Sequence, residues 1–341
     1  MSKVNLKKLA AALNVSISTV SKALKDSHEI GQETKSKVLE KAKEMGYKAN
    51  PYATYMRNLK SKTIAIVIPE MTNNFFLQVI NGAESIAREK DYHLLIYITH
   101  EDAQKEIDII NHLQNGRVDG ILMSLSSTTT DYTHLTECID NNIPIIFFDR
   151  ICHEIETVKI ITDDFAGGFA ATEHLIQNGC KHIAYLSISK HLSIDNKRMQ
   201  GYLEAMEKHG LKIDKKRIVA CSNDEKHNYQ KIKRLLNTDT KTDGIFACVE
   251  SLALTTYRVC QELAVKIPQK LKVLCFANLR TADILNPPLT TITQPAHEMG
   301  IAAASQLFRY LDRKNAQISN ENIIIKSALT VRGSTCLAGA K

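Results

Sequence analysis

Apolar residues recur along the first 46 positions with a helical beat. Leu6, Leu9, Ala10 and Leu13 follow the i, i+3, i+4, i+7 spacing of one helix face, with Asn5 placed to cap it. Asn14-Val15 breaks the pattern. Ser16 then opens a second helix that turns Val20, Ala23 and Leu24 inward. A third helix follows Gly31, with Val38, Leu39, Ala42 and Met45 as its apolar side, ending near Gly46. Each stripe is narrow, just wide enough for three short helices to pack on one another. Two short helices joined by a tight turn and buttressed by a third make a helix-turn-helix.

From residue 63 the beat changes to an alternation of strands and helices. TIAIVI (63–68), HLLIYI (93–98), VDGILM (118–123) and IPIIFF (143–148) are short, apolar and rich in β-branched residues. Helical patterns separate them at about 75–90, 102–116 and 131–142. The same beat returns in HIAYLS (182–187), RIVAC (217–221), TDGIFAC (242–248) and LKVLCF (271–276), and TDGIFAC echoes VDGILM. Two similar halves of this kind imply parallel sheets covered by helices on both faces. Ligands then bind in the crevice outside the carboxyl ends of the strands.

Charge separates the two regions further. Residues 1–62 hold 13 Lys and Arg against 5 Asp and Glu, whereas the rest of the chain is balanced to within one charge. A basic module on a neutral body points to a polyanion, with nucleic acid the commonest partner and a membrane surface the rival. Membrane anchoring by an amphipathic helix needs a broad apolar face with aromatic anchors, which these stripes lack. The outward residues of the second helix, Ile17, Ser18, Thr19, Ser21 and Lys22, are mostly short and hydroxyl-bearing. Such residues let a helix approach the major-groove floor and reach phosphates, which the helix N-terminus at Ser16 also attracts.

The stretch VNLKKLAAALNVSISTVSKALKD, followed by GQETKSKVLEKAKEMGYKANPYA, closely resembles the N-terminus of the lactose/purine-repressor (LacI/GalR-type) family of bacterial transcription regulators. The likeness extends through PPLTTITQPAHEMG (287–300), and the body is similar to periplasmic sugar-binding proteins. The resemblance implies a fold, α/β with a small all-α N-terminal domain. A helix-turn-helix headpiece (1–48) and a hinge (49–62) precede two doubly wound parallel-sheet subdomains. The first covers about 63–161 and 293–322, the second about 162–292 and 323–338. Ile17, Ser18 and Lys22 match base-reading positions, and Asn5, Ser16, Thr19, Ser21 and Thr34 match phosphate contacts. In the hinge, Met56 stands where the family places a minor-groove wedge, with Arg57 beside it.

Effector contacts implied by the resemblance are Phe75 and Phe76 after the first strand, and Asp149 with Arg150 after the fourth. Asp163 (in ITDDFAGG), Arg198 (in R-x-x-GY) and Gln294 (in TITQP) complete the set. Three departures stand out. Cys248-Val249-Glu250 replaces the usual A-N-D, Cys275-Phe276-Ala277-Asn278 replaces G-F-D-D, and Asn223 replaces an aromatic residue. Losing acceptors while keeping Arg198 and Arg150 favours a sugar or an acidic sugar derivative. The implied protein is a homodimer that binds a double-stranded DNA operator, without a metal or other cofactor.

Rival functions fit less well. No G-x-G-x-x-G, P-loop, G-x-S-x-G or HE-x-x-H motif is present, and the 12 histidines are scattered. An enzyme is therefore not expected. A transport solute-binding protein would suit the body but not the basic module, nor an N-terminus whose lysines precede no apolar h-region. Eight cysteines lie far apart without C-x-x-C spacing, as buried thiols in a reducing compartment do. The longest apolar runs are too short to span a bilayer, and a cytoplasmic location is expected.

Overall fold

In the N-terminal module, the expected helices form as α1 (Leu6–Ala12), α2 (Ile17–Leu24) and α3 (Gln32–Glu44). This computed structural model describes residues 6–24, 27, 29–45, 61–114, 116–312 and 319–336. Asn14 ends α1 in the left-handed region at φ 51°, which Asn tolerates better than most residues. Ser16 Oγ then accepts the Thr19 N–H at 3.0 Å and caps α2. Leu9, Ala10, Val20, Ala23, Val38 and Ala42 close a small core, with Leu13, Leu24 and Met45 packed at its edge. Leu39 does not join it: it is 54% exposed, because Val38 and Ala42 already define the inner line of α3 and Leu39 lies one residue around the helix.

The chain divides into two compact units, Met1–Leu59 and Lys60–Lys341, and the second contains two sheets. The first sheet comes from β1 (Thr63–Ile68), β2 (His93–Ile98), β3 (Gly120–Met123), β4 (Ile145–Phe148), β5 (Lys159–Thr162) and β11 (Asn322–Ile325). Its order is β11-β5-β4-β3-β1-β2, and every pairing is parallel. Around it lie α4 (Asn74–Glu89), α5 (Ala103–Leu113), α6 (Thr133–Asp140) and α11 (Ala296–Leu311). Every residue of β1 is buried, as a central parallel strand requires. Ile64, Ile66 and Ile68 face the core shared with α4 and α11, while Ala65 and Val67 face that of α5 and α6.

The second sheet uses β6 (Ile183–Ser187), β7 (Ile218–Ala220), β8 (Gly244–Ala247), β9 (Lys272–Phe276), β10 (Thr290–Thr293) and β12 (Ala328–Thr330). Its helices are α7 (Asp164–Gln177), α8 (Ser193–Lys208), α9 (Glu225–Thr238) and α10 (Glu250–Glu262). The order β12-β10-β9-β8-β6-β7 repeats that of the first sheet, except that β12 runs antiparallel to β10. The second sheet is thus mixed rather than wholly parallel.

Two strands, β5 and β10, have no counterpart among the expected ones. Their sequences, KIIT and TTIT, are four residues long and at least half polar, so they carry little hydrophobic signal. Near the C-terminus, β11 and β12 follow each other closely yet join different sheets. The chain therefore crosses between subdomains at 326–327, later than the expected 322–323 boundary. The other crossings follow β5 and β10. All eight cysteines are unpaired, and no helix of the described residues is long and apolar enough to cross a membrane.

Candidate functional site

The carboxyl ends of β1 and β4 build the first wall of a narrow cavity between the two sheets. After β1, Asn73 Oδ1 accepts the Phe75 N–H at 2.9 Å and starts α4. That turn sets Phe75 and Phe76 edge to face, with centroids 5.2 Å apart. After β4, Asp149 adopts φ 58°, a left-handed conformation unusual for a residue without glycine's freedom. Its Oδ1 accepts the Gln294 Nε2–H at 3.3 Å. Arg150 donates through Nη1 to Glu101 Oε1 at 2.7 Å, while its buried Nε has no hydrogen-bond partner. Burial, the largest single influence, opposes ionisation of Glu101, but the Arg150 charge and hydrogen bond together with the Ser127 bonds outweigh it and the carboxyl lies below its usual range.

The second wall comes from the carboxyl ends of β6, β8 and β9: Ile194, Arg198, Val249, Phe276, Ala277 and Asn278. Arg198 is 3% exposed. Its Nε donates to Asp164 Oδ1 at 2.7 Å, its Nη1 to the Cys248 carbonyl at 2.7 Å, and the guanidinium lies 3.8 Å from the Phe276 ring centroid. Burial pushes Asp164 up to about 6 against the pull of Arg198. Asn278 pairs with the backbone of Gln294: its Nδ2 donates to the carbonyl at 2.7 Å and its Oδ1 accepts the N–H at 3.3 Å. A carboxylate could not make the first of those bonds. Behind Val249, burial and the charge of Glu70 push Glu250 up to about 7, and its buried Oε2 is unpartnered.

Six of the seven residues expected to contact an effector line this one cavity: Phe75, Phe76, Asp149, Arg150, Arg198 and Gln294. Asp163 does not. Its side chain caps α7 by accepting the Ala166 N–H at 2.9 Å, and its neighbour Asp164 meets Arg198 instead. Sequence reading missed Asp164, Glu101 and Ile194. Two adjacent aspartates cannot be told apart by type, and Glu101 comes from the loop after β2, away from the matched motifs. Among the described residues, no group of three or more His, Cys, Asp or Glu could hold a metal ion.

On α2, Ile17 is 48% exposed, and Ser18 lies exposed beside it. The Ser16 hydroxyl meets those of Ser18 and Thr19 at 2.7 and 2.8 Å. Lys22 is ion-paired with Glu29 in the turn before α3. Ser21 and Thr34 are partly buried. Asn5, Met56, Arg57 and hinge residues 49–60 lie outside the described residues.

A cleft lined by a carboxylate and two guanidiniums, on a chain that also carries a helix-turn-helix, defines a ligand-responsive DNA-binding regulator. Comparison with known proteins makes the assignment specific. Residues 61–331 match the periplasmic binding proteins and sugar binding domain of the LacI family, and residues 5–50 match the lacI family of bacterial regulatory proteins. The chain belongs to the LacI family, a family of transcriptional regulators rather than enzymes. It is 28% identical over 332 residues to the HTH-type transcriptional regulator RegA of Clostridium saccharobutylicum, covering 97% of this chain and 99% of that one. A structure of the lac repressor dimer bound to operator and an anti-inducer superposes with a TM-score of 0.83 at 19% identity, over 98% of this chain and 100% of that one. A LacI-type regulator from Alkaliphilus metalliredigens complexed with D-xylulofuranose gives 0.70 at 27% identity, over 81% of this chain and 100% of that one.

Proposed function

We propose that this regulator is a cytoplasmic repressor of carbohydrate-utilisation genes. It binds a palindromic operator as a homodimer and is switched by a sugar or acidic sugar derivative in the cleft. The observation that carries the reading is the convergence of Phe75, Phe76, Asp149, Arg150, Arg198 and Gln294 on one cavity. The relative holding D-xylulofuranose supports a carbohydrate effector, and the operator-bound lac repressor dimer supports the dimeric DNA complex.

In this reading Ile17, Ser18 and Lys22 read bases, while Asn5, Ser16, Thr19, Ser21 and Thr34 hold phosphates. Residues 49–62 form a hinge that presents Met56 and Arg57 to the minor groove. Lys22 exchanges Glu29 for a guanine edge on binding. Selection of bound sequences from a random pool, followed by footprinting, should return two inverted half-sites about one helical turn apart. Lys22→Ala should relax preference at one base pair and weaken the selected site by about 1–3 kcal/mol. Thr19→Ala should weaken all sequences alike, since a phosphate contact carries no base information. A single asymmetric site, or a sequence logo unchanged by Lys22→Ala, would count against the reading.

A further inference from the structure

The two walls of the cleft are chemically unlike. On the first, Asn73, Asp149 and Arg150 present polar atoms, and the buried Arg150 Nε–H, 3.9 Å from Asp149 Oδ2, makes no hydrogen bond and is a donor a ligand oxygen could meet. On the second, Ile194, Val249, Phe276 and Ala277 supply four of the six lining residues, and none of the six is a carboxylate. Of its two polar side chains, Asn278 is engaged with the Gln294 backbone, while Arg198, whose Nη2 makes no hydrogen bond among the described residues, can donate but cannot accept. Arg198 holds Asp164 and the Cys248 carbonyl with its plane over Phe276, and Asn278 holds the Gln294 backbone.

From this asymmetry we infer that the effector is two-faced: an oxygen-rich edge meets Asp149 and Arg150, and a deoxygenated, apolar edge meets Ile194, Val249 and Ala277. The inference rests on the cleft being the effector site. Its physical basis is the penalty of burying a hydroxyl without a partner. A hydroxyl pointed at Val249 or Ala277 would surrender its water and find no acceptor there. A methyl or methylene at the same place is buried favourably. The first wall discriminates in the opposite direction. Removing a hydroxyl from the edge facing Asp149 and Arg150 leaves the Arg150 Nε–H without a hydrogen-bond acceptor and the Asp149 carboxylate with only its Gln294 bond. The ligand class is therefore a deoxy sugar, or a sugar whose apolar substituent points toward the second sheet, rather than an evenly hydroxylated hexose.

Matched pairs of sugars that differ by one hydroxyl test this on the full-length protein, by calorimetry and operator-binding anisotropy. The probes are D-fucose against D-galactose, L-rhamnose against L-mannose, and 2-deoxy-D-ribose against D-ribose. The deoxy member of at least one pair should bind about 10- to 100-fold more tightly, the range over which an apolar pocket separates such isosteres. Val249→Asn and Ala277→Asp, which return polar groups to the second wall, should each shrink or invert that ratio. The wild-type comparison stands even if a variant fails to fold. Equal or tighter binding of the hydroxylated member in every pair, binding of no pair, or a ratio unchanged in both folded variants overturns the inference. Should the hydroxylated member of every pair bind as tightly as the deoxy member or more so, and change operator affinity, the regulator reading survives and the two-faced cleft does not. Should a deoxy sugar bind without changing operator affinity, the cleft survives and the switch does not.

Discussion

Glu250 stands in the first turn of α10, where a helix N-terminus favours a carboxylate, yet its Oε2 is buried without a partner. Burial dominates, with Glu70 adding repulsion, and the pKa rises from 4.5 to about 7. A carboxyl raised on folding favours the protonated folded state. Its contribution is fully present below about pH 4.5 and is lost as pH rises through about 7. Glu250→Gln keeps the shape without the titration. The variant should match wild type near pH 4.5 and exceed its stability at pH 8 by on the order of 2 kcal/mol. Urea unfolding across that range measures it, and parallel wild-type and mutant curves would refute the assignment. At this scale the sequence was informative where residue type alone decides the role. An aromatic pair after β1 and an arginine in R-x-x-GY could be placed, and both reach the cleft. It was uninformative where two neighbours share a chemistry, as with Asp163 and Asp164, or where the partner is distant in sequence, as with Glu101 and Arg150.

Between residues and folds, the echo of VDGILM in TDGIFAC has a mechanical cause. Asp119 accepts the backbone N–H groups of Ser61 and Lys62 at 2.6 and 3.1 Å, just before β1. Asp243 does the same for Lys181 and His182 at 2.9 Å each, just before β6. Each aspartate ties the start of a neighbouring strand to its central strand, so the repeated motif marks equivalent positions in the two sheets. Strands with a continuous apolar run were legible for the same reason that they are buried. The short β5 and β10 were not, because pairing rather than hydrophobicity defines them. Helix pairing was also invisible. Gly168 on α7 lies so close to α8 that a Cβ there would sit 2.3 Å from the Arg198 carbonyl oxygen. Gly168→Ala should therefore force the helices apart and destabilise the body by about 1–3 kcal/mol. Because Arg198 would move with its helix, the variant should also weaken ligand binding. Chemical denaturation and calorimetry on one preparation check both effects, and a variant unchanged in stability would show that α8 can yield.

At the scale of the whole molecule, the residues proposed to read DNA and the cleft belong to separate compact units with separate cores. An effector can act on DNA affinity only by binding two conformations of the body unequally, since it shares no residue with α2. The three crossings supply a route for such a change, because they are the segments that join the two sheets. One crossing carries Gln294, whose amide bonds Asp149 and Thr162 from the first sheet while its backbone holds Asn278 from the second. A ligand held at Asp149, as proposed, would therefore meet the element joining the subdomains. Coupling of this kind is reciprocal. If the effector changes operator affinity by some factor, saturating operator must change effector affinity by the same factor in the same direction. Couplings of about 1–3 kcal/mol, or 5- to 150-fold, are usual. Two titrations on wild type measure both sides of the cycle, operator with and without ligand and ligand with and without operator. Gln294→Ala should shrink both factors together while leaving effector-free operator affinity nearly unchanged. A mutant that kept the full coupling would remove this crossing from the pathway.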